Sequence, residues 1–484
     1  MNEVGEPGTA ARGWRRWARW WPYLAVVVVA IAANAGHVAR YTQLSPFDES
    51  RHIDYMARIY EDGTVVKLGD KLGATAMRLE ACRGVDVAGF TPPPCASRRL
   101  VPEDFRDEGY DNAVNNPPLY YLTTGAVAEA VKATGLSHNI LDPARVISGL
   151  WLAAGLALTV FTGRVLGVRD GPLVAAAVVF ALAPEPLFMG STVNADSASL
   201  FAGALVLVVA LLWERRGWSM WWLLGAGAVA AAFKMTNLIG VGIVAAWLLT
   251  RAFVAWREGD PDGGAGADDG ADDGADDGAD GVAMAGDGAE AEEPGSRSTR
   301  EYLWAAGLIV AGAIGVTVLW IGLAGARATI DALDLPSNRQ FYEPGFPFRA
   351  LIARQNVFSL LPPIDGYRPP VLATELNTTV AFGAELLAAA VMISAVLRFR
   401  ARDAVTSLVA WAGVVLLVAG PGFIASTWFV NKVIFEPVGR YGLSAVAMII
   451  IGAAAAARGR VGTVVLSLFA LLSVGTVLGT LVIG

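Results

Sequence analysis

Long apolar stretches recur along most of the chain, and they constrain its fold more than any other feature. Eleven of them have the length and hydrophobicity of a helix that crosses a bilayer, and 55% of the 484 residues are hydrophobic. A helix needs about 20 apolar residues to span the hydrocarbon core, whereas a soluble domain of this size cannot bury so many. The sequence therefore predicts an all-α, multi-pass protein of the cell membrane with about 11 transmembrane helices.

The predicted spans alternate with a basic tail, two long loops and an acidic linker. The first span is interpreted as an uncleaved helix rather than a signal peptide, because no small-residue cleavage site precedes Arg40 and further spans follow. The divisions are a tail at 1–20, a first helix at 21–37, a loop at 38–142, helices 2–6 within 143–256, a linker at 257–300, helix 7 at 301–324, a loop at 325–375 and helices 8–11 within 376–484.

Arginines in the short loops set the predicted orientation. Residues 117–134 are apolar enough to cross, but Glu129 and Lys132 interrupt them. If this segment lies instead as an amphipathic helix at the outer surface, the basic loops and the N-terminus all fall inside, as the positive-inside rule expects. If it crosses, those loops fall outside. We therefore predict that 117–134 does not cross and that 38–142 and 325–375 are extracytoplasmic. The basic loops hold Arg164, Arg169, Arg215, Arg216, Arg257, Arg398, Arg400, Arg402, Arg458 and Arg460.

Acidic residues are concentrated in the linker. Residues 258–293 carry 14 acidic side chains and no basic one, so the formal net charge of −7 conceals a remainder of +7. The repeated Ala-Asp-Asp-Gly units cannot bury enough apolar surface to fold, which predicts a disordered cytoplasmic linker. A regulatory or ion-binding role for the linker is the alternative.

The two cysteines, Cys82 and Cys95, both lie in the first extracytoplasmic loop. An even pair in a compartment that permits oxidation predicts one disulfide, which would stabilise the loop by roughly 3 kcal/mol on the chain-entropy estimate. Two unpaired thiols are the alternative.

A cluster of acidic residues and a histidine follows the first span. The run Ser45-Pro46-Phe47-Asp48-Glu49-Ser50-Arg51-His52 has the marks of a helix start, with Ser45 as the cap and Pro46 at the first position. Capping is therefore one interpretation of the carboxylates. The other is a functional site, because Asp48 and His52 are four residues apart and share a helix face where the chain leaves the bilayer. Acids at a membrane surface are costly unless they are used.

Four short motifs in chain order resemble those of the GT-C superfamily of polytopic glycosyltransferases. The run from Pro46 to His52 looks like its acidic motif, and Asn116-Pro117-Pro118-Leu119-Tyr120-Tyr121 looks like the element that opens a juxtamembrane helix in bacterial members. Asn194-Ala195-Asp196 and Gly439-Arg440-Tyr441 stand where similar bacterial sequences carry such residues. The likeness is to bacterial mannosyltransferase-like and uncharacterised predicted membrane proteins. Asn116 departs from the pattern, since many of these have His or Lys at that position.

This resemblance implies transfer of a sugar from a polyprenyl-phosphate donor to an extracytoplasmic glycan, lipid or protein, with inversion at the anomeric carbon. Nucleotide sugars are absent outside the cell, and phosphate leaves without a strong general acid, so one carboxylate suffices to take the acceptor's proton. Asp48 is predicted to be this general base, and Glu49 is the second predicted catalytic residue. Membrane lipids, the donor and the acceptor are the expected partners, and nucleic acid is not expected.

Fixed cations near the donor phosphate would stabilise its developing charge, and the candidates are Lys234, Arg354 and Arg440. Lys234 could instead snorkel to the headgroups, Arg440 could anchor lipid phosphates, and Arg354, in the second loop, has no motif behind it. Asn194 and Asp196 could simply cap a span. The predicted substrate-binding set is His52, Asn116, Asn194, Asp196, Lys234, Arg354, Arg440 and Tyr441.

Three other interpretations of the chain stay open. A divalent metal held by Asp48 or Glu49 would neutralise the donor phosphate. The run from Asp48 to His52 differs by one residue from the His-Glu-x-x-His pattern of zinc proteases, but that difference removes a ligand. A lipid-linked-sugar transporter or flippase and a catalytically inactive membrane scaffold are the non-enzyme alternatives, although the sequence shows no internal repeat of the transporter kind.

Overall fold

The computed structural model describes residues 9–85, 87, 89–259, 297–353, 356–361 and 374–483. Within these ranges the regular elements are helices, and strand-like pairing is limited to isolated bridges such as that between Leu44 and Val85. Most of the predicted acidic linker and the first eight residues of the predicted basic tail lie outside the described residues.

Seventeen α-helices follow one another along the described chain. They are α1 (Thr9–Arg40), α2 (Glu49–Ala57), α3 (Ala74–Arg83), α4 (Leu119–Ala133), α5 (Leu141–Val165), α6 (Asp170–Ala181), α7 (Pro184–Gly190), α8 (Ser199–Arg216), α9 (Trp221–Phe233), α10 (Leu238–Arg257), α11 (Thr299–Ala326), α12 (Pro336–Gln340), α13 (Phe348–Ala353), α14 (Glu375–Leu397), α15 (Ala404–Asn431), α16 (Val446–Ala456) and α17 (Arg460–Ile483). The 3-10 turns Ala195–Ala198, Met235–Asn237 and Gly439–Ala445 lead into α8, α10 and α16.

Nine helical segments in the described ranges are long and apolar enough to cross a membrane. They coincide with predicted spans 1, 2, 4 and 6 to 11, which confirms the predicted class, an all-α multi-pass membrane protein. The third predicted span is instead a pair of helices, α6 and α7, bent by 73°, and the fifth is α9, which has only 13 residues. The count of eleven and the orientation stay predictions.

Prolines explain the break in the third predicted span. Ala183 is extended with ψ 142°, and Pro184 occupies the first turn of α7. Because proline lacks an N–H and disfavours helical geometry in the residue before it, one helix cannot run through this point. All seven residues of α7 are buried, and the segment after it contacts the start of α2, where the N–H of Val193 donates to the Glu49 carboxylate. Because the helix breaks here, the polar segment that follows α7 reaches the acidic motif.

The turn Gly439–Ala445 is held between two spans because both have glycine at the contact. A Cβ atom at Gly203 in α8 would overlap the carbonyl of Ser444. From α10, the N–H of Gly240 donates to the Ser444 hydroxyl at 3.1 Å. Close backbone approach of this kind is the common use of glycine in membrane helices. It fixes the position of Arg440 and Tyr441.

Residues 41–140 form a separate helical layer at the end of the bundle where α1 finishes. Its core gathers the large apolar side chains of α2 and α4, including Tyr55, Tyr120 and Tyr121, which are fully buried. Cys82 and Cys95 form a disulfide in this layer. α4 lies within the segment 117–134, and it is not among the nine membrane-span candidates of the described chain. Whether this layer is extracytoplasmic stays a prediction.

Candidate active site

Asp48 immediately precedes α2, so the helix starts three residues later than the predicted Ser45-Pro46 start. Its backbone is left-handed, with φ 61° and ψ 20°, which is uncommon for a residue other than glycine. Its carbonyl accepts the first turn's N–H groups from Arg51 and His52, while in the described structure its carboxylate makes no capping hydrogen bond. The carboxylate side chain is 31% exposed and lies 3.9 Å from the Arg51 guanidinium. Capping therefore does not account for this side chain.

Glu49 has a different environment from its neighbour. Its side chain is fully buried, and its two oxygens form a bidentate ion pair with Arg145 of α5 at 2.8 and 2.7 Å. The same oxygens accept the N–H groups of Ser45 at 2.6 Å and Val193 at 2.7 Å. Arg145 also donates to the carbonyls of Tyr41 and Gln43. Four donors occupy the lone pairs of Glu49, so the residue has the geometry of a clamp. This geometry differs from what the predicted catalytic and metal-binding roles need.

Three of the predicted binding residues form one ionic network. The Asp196 Oδ2 atom lies 2.6 Å from Lys234 Nζ and 2.9 Å from Arg440 Nε, and all three side chains are largely or fully buried. Asp196 and Arg440 lie in the turns that lead into α8 and α16, and Lys234 immediately precedes the turn that leads into α10. Asp196 Oδ1, also buried, has no hydrogen-bond partner among the described residues. Two cations thus share one carboxylate, which leaves a local excess of one positive charge.

Aromatic rings flank the two cations of this network. Lys234 Nζ lies 5.3 Å from the centre of the Tyr441 ring, and Arg440 Cζ lies 5.1 Å from that of Phe47 and 5.8 Å from that of Tyr441. These distances are those of cation–π contacts, which hold a cation in place without neutralising it. Phe47 is the residue before Asp48, so it connects the network to the acidic motif.

Asn194 joins the same two regions through hydrogen bonds. Its Oδ1 accepts the N–H of Asp196 at 2.9 Å, so it does cap the turn, as the structural alternative proposed. Its Nδ2 donates to the carbonyl of Phe47 at 3.4 Å. Asn194 therefore caps the turn and also holds it against the residue that precedes Asp48.

His52 faces Tyr121 rather than solvent. Its Nδ1 lies 2.6 Å from the Tyr121 hydroxyl, and the two rings stack with centres 5.8 Å apart. Burial, with the nearby Lys234 charge, lowers the pKa of His52 to about 3, so the ring is neutral at ordinary pH. A neutral imidazole with this partner is a hydrogen-bonding group and not a proton donor of ordinary strength.

Arginines control the charge of Asp48. Burial by itself would raise the pKa of Asp48, but the charges of Arg51, Arg106 and Arg440 outweigh it and hold the pKa below its usual value. Arg51 is itself held by the carbonyl of Arg106 at 2.8 Å and by Asp107 at 3.2 Å. Asp48 is therefore a carboxylate over the physiological pH range, able to accept a proton.

Sequence reasoning missed Arg51, Arg106, Arg145 and Tyr121 as members of the site. Arg51 and Tyr121 lie within two of the four motifs, and this position in a motif was the signal that could have identified them. Arg145 and Arg106 lie 96 and 58 positions after Glu49 and Asp48, and no local pattern marks them.

Two predicted residues are not brought into this cluster by an observed contact. The Asn116 amide donates to the carbonyl of Ala113 at 3.3 Å, a local bond at the end of a 3-10 turn. Arg354 lies outside the described residues. In the described part of the chain, no group of three or more His, Cys, Asp and Glu side chains is arranged to hold a metal ion.

No protein-family model matches the chain, and no curated protein matches it. Among solved structures, ArnT from Cupriavidus metallidurans bound to undecaprenyl phosphate matches with 15% identity and a TM-score of 0.43, covering 92% of this chain and 60% of that one. ArnT in the apo state matches with 14% identity and a TM-score of 0.35, covering 97% and 78%.

ArnT is a polytopic membrane glycosyltransferase of the GT-C family, the superfamily that the four motifs resemble. The present chain spans 60% of the length of the first of these structures. The likeness is distant, and it assigns this chain no donor, acceptor or catalytic residue.

Proposed function

We propose that this protein is a membrane glycosyltransferase that moves a sugar from a polyprenyl-phosphate donor to an extracytoplasmic acceptor, with Asp48 as the general base. The observation that carries the proposal is the convergence of four distant segments on one cluster. An uncapped carboxylate, Asp48, lies beside a cation pair, Lys234 and Arg440, at one end of a transmembrane bundle. A hydrophobic carrier with a phosphate head requires this combination of chemistry and place.

The cation pair suits a phosphate group. Lys234 and Arg440 share Asp196, so together they carry one positive charge in excess, and the contacts with Asp196 and the flanking rings orient them before any ligand arrives. Preorganised cations stabilise charge that develops during a reaction better than mobile ones do, because little rearrangement is needed. In the proposed reaction they face the phosphate that becomes the leaving group.

Asp48 suits the role of base. It is ionised, and its left-handed backbone keeps the carboxylate from turning back onto the helix N–H groups. In the proposed step, the acceptor hydroxyl loses its proton to Asp48 while its oxygen forms a bond to the anomeric carbon. The bond between that carbon and the phosphate oxygen breaks, and polyprenyl phosphate leaves with the electron pair. Attack from the side opposite the leaving group inverts the anomeric centre.

Glu49 is proposed to position the base and not to take part in the proton transfer. Glu49 is next to Asp48, and it binds Ser45 in the segment before α2, Arg145 near the start of α5 and Val193 in the segment before α8. A carboxylate whose lone pairs are all engaged is a poor acceptor for a further proton. The assignment also argues against Glu49 as the ligand of an assisting metal ion.

The deciding experiment uses the full chain in lipid nanodiscs with a labelled polyprenyl-phosphate sugar and candidate acceptors. The Asp48→Asn variant should lose transfer by at least about 100-fold, the usual contribution of a general base, while its unfolding temperature stays near that of the wild type. Asp62→Asn is the matched control, since Asp62 is an exposed carboxylate in the same layer. It should transfer normally.

Other outcomes would favour the alternatives. If the labelled lipid changes leaflet in vesicles and no acceptor becomes labelled, the protein is a transporter of the flippase kind. If the wild type does neither while binding the lipid, the inactive scaffold is favoured. Full transfer activity in Asp48→Asn would exclude Asp48 as the base.

A further inference from the structure

The end of the bundle opposite Asp48 carries a second charged region. Successive membrane helices alternate in direction, so the ends of α10, α14 and α16 and the start of α15 meet there. A cleft of about 580 Å³ lies between α14, α15 and α16, with Arg398, Arg400 and Arg458 among its lining residues. We call it the arginine cleft. A second cleft of about 680 Å³ adjoins it and is lined by Arg257, Arg400 and Arg402.

The carboxylates in this region are already engaged. Asp403 caps α15, accepting the N–H groups of Val405 and Thr406 at 3.1 Å and the Thr406 hydroxyl at 2.8 Å. It lies 4.0 Å from Arg458, which is at the limit of an ion pair. Glu258 pairs with Arg402 at 3.0 Å. Five arginines thus face two acids, and the arginine cleft keeps a positive excess.

Part of the wall of the arginine cleft is apolar. Small and branched side chains line it between the helices, namely Val391, Ala395, Val409, Gly452, Ala455 and Ala456. On the outside of α14 the surface stays apolar, with Ile393 58% and Leu397 80% exposed. In a membrane span these side chains face acyl chains. The cleft therefore connects a cationic mouth with a hydrocarbon-facing helix surface.

We propose that the arginine cleft binds the headgroup of an anionic glycerophospholipid from the leaflet at this end of the bundle. Guanidinium groups hold phosphate oxygens in bidentate pairs, and basic pockets between transmembrane helices are suited to anionic headgroups. The apolar wall accepts the first carbons of the acyl chains. A soluble phosphate compound would leave this wall in contact with water, and this favours the lipid.

The proposal is separate from the glycosyl-transfer site, because the two lie at opposite ends of the same helices. The acidic stretch of this chain has the complementary charge and begins at Glu258, which lines the adjoining second cleft. That stretch is the competing occupant. Removing it discriminates between the two.

The test is native mass spectrometry of the full chain released from detergent, with phosphatidylglycerol or phosphatidylcholine added. The wild type should retain phosphatidylglycerol and not phosphatidylcholine. Arg398→Gln with Arg400→Gln should weaken retention by about 30-fold, since each arginine near an anionic lipid contributes about fivefold. The matched control is Arg215→Gln with Arg216→Gln, which removes two charges from the same end of the bundle outside the cleft, and it should retain the lipid.

Four results would overturn the proposal. Equal retention of both lipids would show that the charge is not used. Equal losses in the two double variants would show that general surface charge, and not the cleft, holds the lipid. Displacement of the lipid by excess inorganic phosphate, or retention of lipid only after residues 260–293 are deleted, would assign the cleft to a free phosphate or to the acidic stretch.

Discussion

Residues that are adjacent in the sequence can differ in burial and in their ion-pair partners, and residues 48 and 49 are the clearest case. Both carry carboxylates at the start of one helix. The Asp48 side chain is partly exposed near the Arg51 guanidinium, whereas the Glu49 side chain is buried in a bidentate pair with Arg145. Sequence reasoning treated them as a pair because adjacency along the chain is all that it can measure. The direction of each side chain depends on Arg145 and Val193, which are distant in sequence.

Glu49→Gln should destabilise the protein strongly. The substitution leaves the Arg145 guanidinium buried without its counter-charge, and breaking a buried pair on one side costs about 3–5 kcal/mol. Thermal unfolding in detergent measures the effect. Glu129→Gln, which removes one partner of the part-exposed pair with Lys132, should change the free energy of unfolding by no more than about 1 kcal/mol. Equal effects in the two variants would contradict the clamp.

The pH dependence of stability should show the burial of His52. Its pKa falls to about 3 in the folded protein from 6.5, so below pH 6.5 the unfolded chain binds more protons than the folded one. The contribution of His52 to stability is complete above pH 6.5 and is lost as the pH falls toward 3. The loss in the free energy of unfolding is about 2 kcal/mol near pH 5. His52→Gln, which can still bond to Tyr121, should lose less stability over that interval. Parallel pH profiles would show that His52 is not responsible.

At the scale of helices, the apolar pattern predicted the location of the elements better than their shape. Apolar runs fix where spans lie because the bilayer demands length and hydrophobicity. The break at Pro184 was not predicted because a helix that contains a proline can continue straight, bend or end there. Packing decides which of these happens. The site depends on that break and on the turns before α8, α10 and α16. The motif resemblance indicated the turns before α8 and α16, and no motif indicated the turn before α10.

Gly203→Ala should disturb the site from the side of α8. A methyl group at this position overlaps the backbone of the turn that carries Arg440, so the turn must move, at a cost of about 1–3 kcal/mol. Both unfolding temperature and sugar transfer should fall. Gly225→Ala is the control, because Gly225 lies in α9 with open space around it. A normal Gly203→Ala variant would mean that α8 and the turn are not packed closely.

At the scale of the whole molecule, charge separates the two ends of the bundle. The layer formed by residues 41–140 and the candidate active site lie at one end, and the arginine-rich loops lie at the other. Sequence could predict this polarity, since the positive-inside rule needs only the loop charges. It could not predict that Lys234, Asp196 and Arg440 meet, since three turns far apart in sequence come together only when the bundle packs.

Labelling of single introduced cysteines tests the orientation. A maleimide that does not cross membranes should label Asp62→Cys in intact cells and Arg216→Cys only after permeabilisation, because the positive-inside rule predicts that the basic loops stay in the cytoplasm. Asp62 and Arg216 are both exposed, so access alone does not separate them. The reverse pattern would place Asp48 inside the cell and remove the basis for an extracytoplasmic transferase.

The carboxylate shared by Lys234 and Arg440 has a consequence for turnover. With no substrate bound, Asp196 keeps both cations from repelling each other and from drifting toward solvent or headgroups. In the proposed reaction, each cation would contact the donor phosphate while keeping its contact with Asp196, and it would keep that contact after the carrier leaves. Under that proposal, the two cations need no rearrangement of the surrounding helices between one cycle and the next.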